Sequence, residues 1–252
     1  MKNNKFIMPS RRAIVSGILF VLMFFQMNIN VMAFDGSTHE YVTRTSLELF
    51  SKLERKDNEF YEEKIKKIIL VYCTKPDEDE NEGLYKDHFY NIATERNFMG
   101  EKISALVKFR QHYRNALINY KKGRMEKCWE ELGRAIHFLE DINTPVHGGY
   151  DRPTDAVKRL PMHVAFEKTC ILVQDECLAD INIKELQYYL DNSLDNIGKM
   201  CARRSNDNYF ALKKGYISES EIAKRAIIDA QRNVIGILYK FTVDTGTEHQ
   251  LY

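Results

Sequence analysis

The sequence predicts an all-α protein, one irregular bundle of six to eight helices. Apolar residues recur at three- and four-residue spacing in segment after segment, which gathers them on one helical face each time. The segments are punctuated by helix starts and stops (Ser-x-x-Glu boxes, prolines and glycines), and no period-two run with a hairpin turn interrupts them. A chain of 252 residues without a long Gly/Pro/Ser-rich linker supports one sizeable core.

Residues 1–33 read as a secretory signal peptide. Lys2, Lys5, Arg11 and Arg12 precede the apolar run Ala13 to Phe25, and Val31-Met-Ala33 offers a cleavage site that would make Phe34 the first mature residue. An uncleaved anchor is the rival reading, but the run falls short of the roughly 20 residues a spanning helix needs. Residues 34–252 are then one domain, expected to be extracellular and monomeric with no transmembrane segment.

Without the leader the 37 Lys+Arg fall to 33 against 36 Asp+Glu, a near-neutral chain. No Lys/Arg block exists to neutralise many phosphates, so a nucleic-acid partner is not expected. The five cysteines (Cys73, Cys128, Cys170, Cys177, Cys201) show no CxxC spacing. Export permits disulfides, but an odd number leaves at least one thiol over.

Ser37-Thr-His39-Glu40 has the form of a capping box, with Val42, Leu49 and Leu53 continuing a stripe. A second helix fits residues 60–72 and ends before Pro76. The acidic run 76–83 reads as a loop, returning at Leu84-Tyr85-Lys-Asp-His88-Phe89. A helix is expected over 101–122, stopped by Gly123, with His112 on its polar side as a surface histidine.

The central helix follows, on Cys128, Trp129, Leu132, Ala135, Ile136 and Leu139, and leads into His137-Phe-Leu-Glu-Asp141-Ile-Asn-Thr-Pro-Val-His147. His137 and Asp141 are one turn apart, and Pro145 should break the helix and bring His147 round from beyond it. Further helices fit residues 162–179, with His163 and Glu167 one turn apart, and 183–201; Ser218-x-x-Glu221 caps the last.

Taken singly, a buried histidine is more often a hydrogen-bonded core residue, and a helical His/Asp pair is a common surface feature. Five of the seven histidines, however, stand at helix ends or inward turns beside a carboxylate or another histidine. Imidazole and carboxylate without thiolate suit zinc, and clustered zinc ions suit phosphoester hydrolysis.

With these motifs in order, the mature sequence resembles the zinc-dependent bacterial phospholipase C family, which includes the short secreted phospholipases C and the catalytic domain of clostridial alpha-toxin. Ala33-Phe-Asp-Gly36, Thr38-His39, Pro76-Asp77, Leu84 to Phe89, His137-x3-Asp141-x5-His147 and His163-x3-Glu167 carry the resemblance. It implies three zinc ions: Asp77, His88, His137 and Asp141 hold the first; His147, His163 and Glu167 the second; His39, Asp141 and the amine and carbonyl of Phe34 the third. It also implies attack of zinc-activated hydroxide on phosphorus, with Asp77 and Asp141 as catalytic residues, and a phosphatidylcholine-like lipid at a membrane surface as substrate.

Two departures stand out. Phe34 replaces the family's Trp, which leaves backbone ligation open. Glu78 replaces an aromatic residue of the family's choline pocket, while Tyr85 retains a second one, so both are substrate-binding candidates. The toxin's C-terminal β-sandwich is not expected, since the chain ends soon after its last helix. The alternatives are the related single-strand-specific zinc nucleases and a non-catalytic secreted zinc-binding helical protein.

Overall fold

The computed structural model describes residues 36–53, 62–79, 85–149 and 160–247. The signal peptide, its cleavage site and Phe34 lie outside them. The helices in chain order are α1 (Gly36–Leu53), α2 (Glu63–Tyr72), α3 (Lys75–Glu78), α4 (Ala105–Lys121), α5 (Met125–Asn143), α6 (Pro145–Gly148), α7 (Leu160–Val173), α8 (Ile183–Asp191), α9 (Leu194–Lys214) and α10 (Glu219–Thr245). Short 3-10 turns occupy Tyr85–His88 and Gln174–Glu176. Among the described residues there is no strand beyond an isolated bridge between Asn91 and Arg96, so the all-α expectation is borne out. No helix among them is long and apolar enough to cross a membrane.

Helix α5 is the core element. It packs most extensively on α4 and α2, and α9 and α10 also lie against it. From Leu139 to Asn143 every residue is buried, polar ones included. Each fully buried Leu, Ile or Phe here contributes about 1.5–3 kcal/mol. That apolar packing must offset the cost of enclosing the polar groups described below.

Local signals explain most helix ends. Ser218 Oγ accepts from Glu221 N at 3.2 Å and caps α10, as its box predicts. Gly123, at φ +67°, stops α4 in the left-handed conformation glycine adopts without a steric penalty. Thr144 is extended, and Pro145 opens α6 where its missing N–H costs nothing.

Four expectations are corrected. Ser37 lies inside the first turn of α1, because the helix already includes Gly36. Residues 75–78 form a helical turn rather than loop, with Pro76 in the first turn where its ring is tolerated. The single helix over 183–201 is two: Asn192 is extended and Ser193 starts a new helix, its Oγ accepting from Asn196 N. His112 is not a surface residue. It is 5% exposed, bonds Glu131 at 2.7 Å and stacks on Phe138, because α5 covers the α4 face that carries it.

All five cysteines are buried, and none of them forms a disulfide. They serve as small core side chains, with burial pushing the Cys177 thiol up to about 11 and Cys201 to about 12.

Candidate metal centre

Helix α5 delivers His137 and Asp141 from one face, and its break at Thr144 lets α6 return His147 to the same place. His39 comes from α1, Asp77 from α3, His88 from the 3-10 turn, and His163 and Glu167 from α7. All of these side chains are at least nine-tenths buried.

Asp141 is the centre of the arrangement. Its Oδ2 lies 2.9 Å from His88 Nδ1 and 3.3 Å from His137 Nε2; its Oδ1 lies 3.6 Å from His147 Nδ1 and 3.8 Å from His39 Nε2. Asp77 Oδ1 stands 3.6 Å from both His88 Nδ1 and His137 Nε2. On the other side His163 Nε2 is 2.7 Å from Glu167 Oε1 and 3.3 Å from His147 Nε2. Three groups result, each with donor atoms within 4.8 Å of one another: His39, His137 and Asp141; Asp77, His88 and His137; His147, His163 and Glu167.

Outer partners orient the rings. His137 Nδ1 donates to the Cys73 carbonyl at 2.8 Å and His147 Nδ1 to the His88 carbonyl at 2.9 Å. A carbonyl can only accept, so in both rings Nδ1 carries the proton and Nε2 is left for the centre. Phe89 stacks on His147 with centroids 4.2 Å apart, and Phe138 lies edge-on to His137.

The electrostatics couple Asp141 to the histidines around it. Burial works to raise the Asp141 carboxyl, but His137 and His88 outweigh it and hold Asp141 well below the usual carboxylate range. Burial works to lower His137, yet Asp141 and Asp77 outweigh that and hold it up at about 9. Burial, with His163 beside it, pushes His147 down to about 3; burial, with His137 beside it, holds His39 well below its ordinary value. Two rings therefore keep neutral lone pairs, the form a metal ligand needs.

The residues fit metal ions. Neither oxygen of Asp141 has a hydrogen-bond donor in line with it, although the residue is fully buried. Burying a carboxylate whose charge is not fully compensated costs several kcal/mol, a large part of a domain's total stability of about 5–15 kcal/mol. Two ligands of one tetrahedral zinc, each about 2.0–2.1 Å from it, stand roughly 3.3 Å apart. His137 to Asp141 and His147 to His163 match that spacing at 3.3 Å.

The structure thus brings together His39, Asp77, His88, His137, Asp141, His147, His163 and Glu167. Phe34 is outside the described residues. Glu78 is exposed with its carboxylate on Lys75 Nζ at 2.6 Å, and Tyr85 is 40% exposed; no hydrogen bond or ion pair described for either joins it to the cluster. One residue was missed. Glu140 is fully buried, accepting from Thr43 Oγ1 at 2.8 Å and lying 2.5 Å from His39 Nδ1. Burial pushes its carboxyl well up. The available signal was a second acidic residue, three after His137 and directly before Asp141, on a helix whose preceding turns carry the apolar core stripe.

Among the described residues, fold and site define an all-helical protein enclosing a cluster of histidines and carboxylates that could hold metal ions. No family model matches the chain. It is 26% identical over 201 residues to a phospholipase C of Clostridium perfringens, covering 71% of this chain and 50% of that protein. It is 23% identical over 235 residues to a phospholipase C of Clostridium haemolyticum, covering 82% and 59%. The chain thus spans about half the length of the curated relatives it matches. Among solved structures, the alpha toxin of Clostridium absonum superposes with a TM-score of 0.72 at 24% identity, over 85% of this chain and 65% of that one. These relatives support the resemblance to the bacterial phospholipase C family read from the sequence, and the alpha toxin shares the fold.

Proposed function

We propose that this chain is a secreted zinc-dependent phospholipase C that hydrolyses phosphatidylcholine-like lipids to diacylglycerol and a phosphorylated headgroup. The observation that carries the reading is Asp141, one buried carboxylate facing His39, His88, His137 and His147. The relatives named phospholipase C support the substrate class. The donor set is nitrogen and oxygen throughout, which suits zinc.

Zinc held here would polarise the phosphoryl oxygens and lower the pKa of a bound water to about 7. The chain's own residues do the rest. Asp141 holds the ligand histidines in register. Asp77, 3.6 Å from His88 and His137, orients the attacking water and takes its proton. The fully buried His39 and His137 rings and the stacked Phe89 keep bulk water from the inner side. Tyr85 offers an exposed aromatic face, and Glu78 a carboxylate, for a quaternary ammonium headgroup. The amine and carbonyl of Phe34 would supply the third metal position once the leader over residues 1–33 is removed.

The zinc-loaded exported chain should release diacylglycerol and phosphorylated headgroup from phosphatidylcholine vesicles, and act weakly on single-stranded DNA. Cleavage of DNA alone would overturn the reading in favour of a nuclease. N-terminal sequencing should return Phe34, and any other start would remove the third position as drawn.

A further inference from the structure

We propose that Glu140 is a positioning residue for His39: its carboxylate takes the Nδ1 proton of His39 in a hydrogen bond and so turns Nε2 inward as a metal ligand. The inference rests on the metal-centre reading above and goes beyond it by assigning a residue outside the ligand set.

The geometry is specific. Glu140 Oε2 is 2.5 Å from His39 Nδ1, and Thr43 Oγ1, one turn along α1 from His39, donates to Oε1 at 2.8 Å. All three side chains are fully buried. With Nδ1 so engaged, Nε2 lies 3.8 Å from Asp141 Oδ1, and the ring stacks on His137 at 4.2 Å. The carboxylate thus ties α1 to α5 at the point where each supplies a ligand.

The contrast with the neighbouring histidines gives the inference its content. His137 and His147 are oriented by main-chain carbonyls, which carry only partial charge. His39 alone of these three is oriented by a carboxylate. A carboxylate on the far nitrogen fixes the tautomer, makes the imidazole a stronger donor and adds one negative charge beside the metal; losing such a partner typically costs 10–100-fold in metal affinity. Glu140 should therefore hold the His39 metal without touching it.

The test uses the full exported chain loaded with zinc, in wild type, Glu140→Gln and Thr43→Val forms. Gln keeps the shape and one neutral acceptor oxygen, removes the charge and replaces the other oxygen with an NH2 donor. Chelator-driven release of each zinc, thermal unfolding of the metal-free chain, and the NMR signal of the His39 Nδ1 proton are read together. In Glu140→Gln one zinc should leave about 10–100-fold faster while the others keep their rates, and the Nδ1 proton should move upfield; Thr43→Val should shift both in the same direction by less. Unchanged zinc release and an unchanged Nδ1 signal in Glu140→Gln would overturn the assignment. So would a loss of metal-free stability with no change in zinc release, the mark of a purely structural contact. A wild type that binds no zinc would overturn this inference and the metal-centre reading together. Zinc behaving as expected without phospholipid cleavage would overturn the proposed function and leave the role of Glu140 supported.

Discussion

His137 Nε2 faces Asp141 Oδ2 across one turn of α5 at 3.3 Å, and the same carboxylate oxygen lies 2.9 Å from His88 Nδ1. Two residues four apart on one helix thus hold together side chains from four other elements. The break at Thr144 and Pro145 matters as much as the helix, because it brings His147 back to the other oxygen of Asp141.

Asp141→Asn tests that sharing. The amide keeps the volume but removes the charge and turns one ligand oxygen into a donor aimed at histidines. Elemental analysis of the purified chain should find loss of the metals beside His39 and His137, with the one at His147, His163 and Glu167 retained. Phospholipid hydrolysis should fall by well over the roughly 10–100-fold typical of an outer-sphere change. A full metal complement in this variant would contradict the central place of Asp141.

His112 makes a different prediction from the one its sequence position suggested. Its bond to Glu131 and its stack on Phe138 make it part of the α4–α5 contact, one ring removed from His137. His112→Ala should cost about 2 kcal/mol, from a lost hydrogen bond to a carboxylate and lost packing. The shift would be seen in the urea midpoint, while metal content stays at the wild-type value.

That contrast shows where sequence reading runs out. The clustering of the candidate ligands of α5 and α7 was legible because a helix fixes which residues share a face, and a proline fixes where the chain must turn. His112 and Glu140 were not, because their surroundings are made by residues far along the chain: Glu131 and Phe138 for one, His39 and Thr43 for the other. The same limit applies to the break at Asn192 and Ser193, where the apolar spacing of Leu190, Leu194 and Ile197 runs on as though one helix continued. Ser193 was a cap signal, and the periodicity masked it.

The buried thiols give a pH prediction. Burial holds the Cys177 thiol at about 11 and Cys201 at about 12, against about 8.5 in an unfolded chain. Between those values the unfolded state has lost protons that the folded state keeps. Stability therefore falls as pH rises from about 9 toward 11–12, by up to roughly 1.4 kcal/mol per pH unit for each such thiol. Urea unfolding at pH 8, 9.5 and 10.5 measures the slope. At pH 8 a thiol reagent should titrate none of the five cysteines in the native chain and all five in denaturant.

Gly133 links packing to the centre. A Cβ there would stand 2.7 Å from the Ile69 carbonyl oxygen and 2.9 Å from Tyr72 Cβ, so glycine is what lets α5 approach α2 this closely. Neither neighbour is the far end of a flexible side chain, so Gly133→Ala must push the helices apart, at about 1–3 kcal/mol. The displaced end of α2 leads directly into Cys73, whose carbonyl orients His137 one turn beyond Gly133. The variant should therefore lose both thermal stability and metal retention at His137. Gly123→Ala is the control: it costs about 1 kcal/mol through its left-handed backbone, at φ +67° with open space around it, and should leave metal retention unchanged. Equal metal retention in the two variants would show that the α2–α5 contact does not reach the ligands.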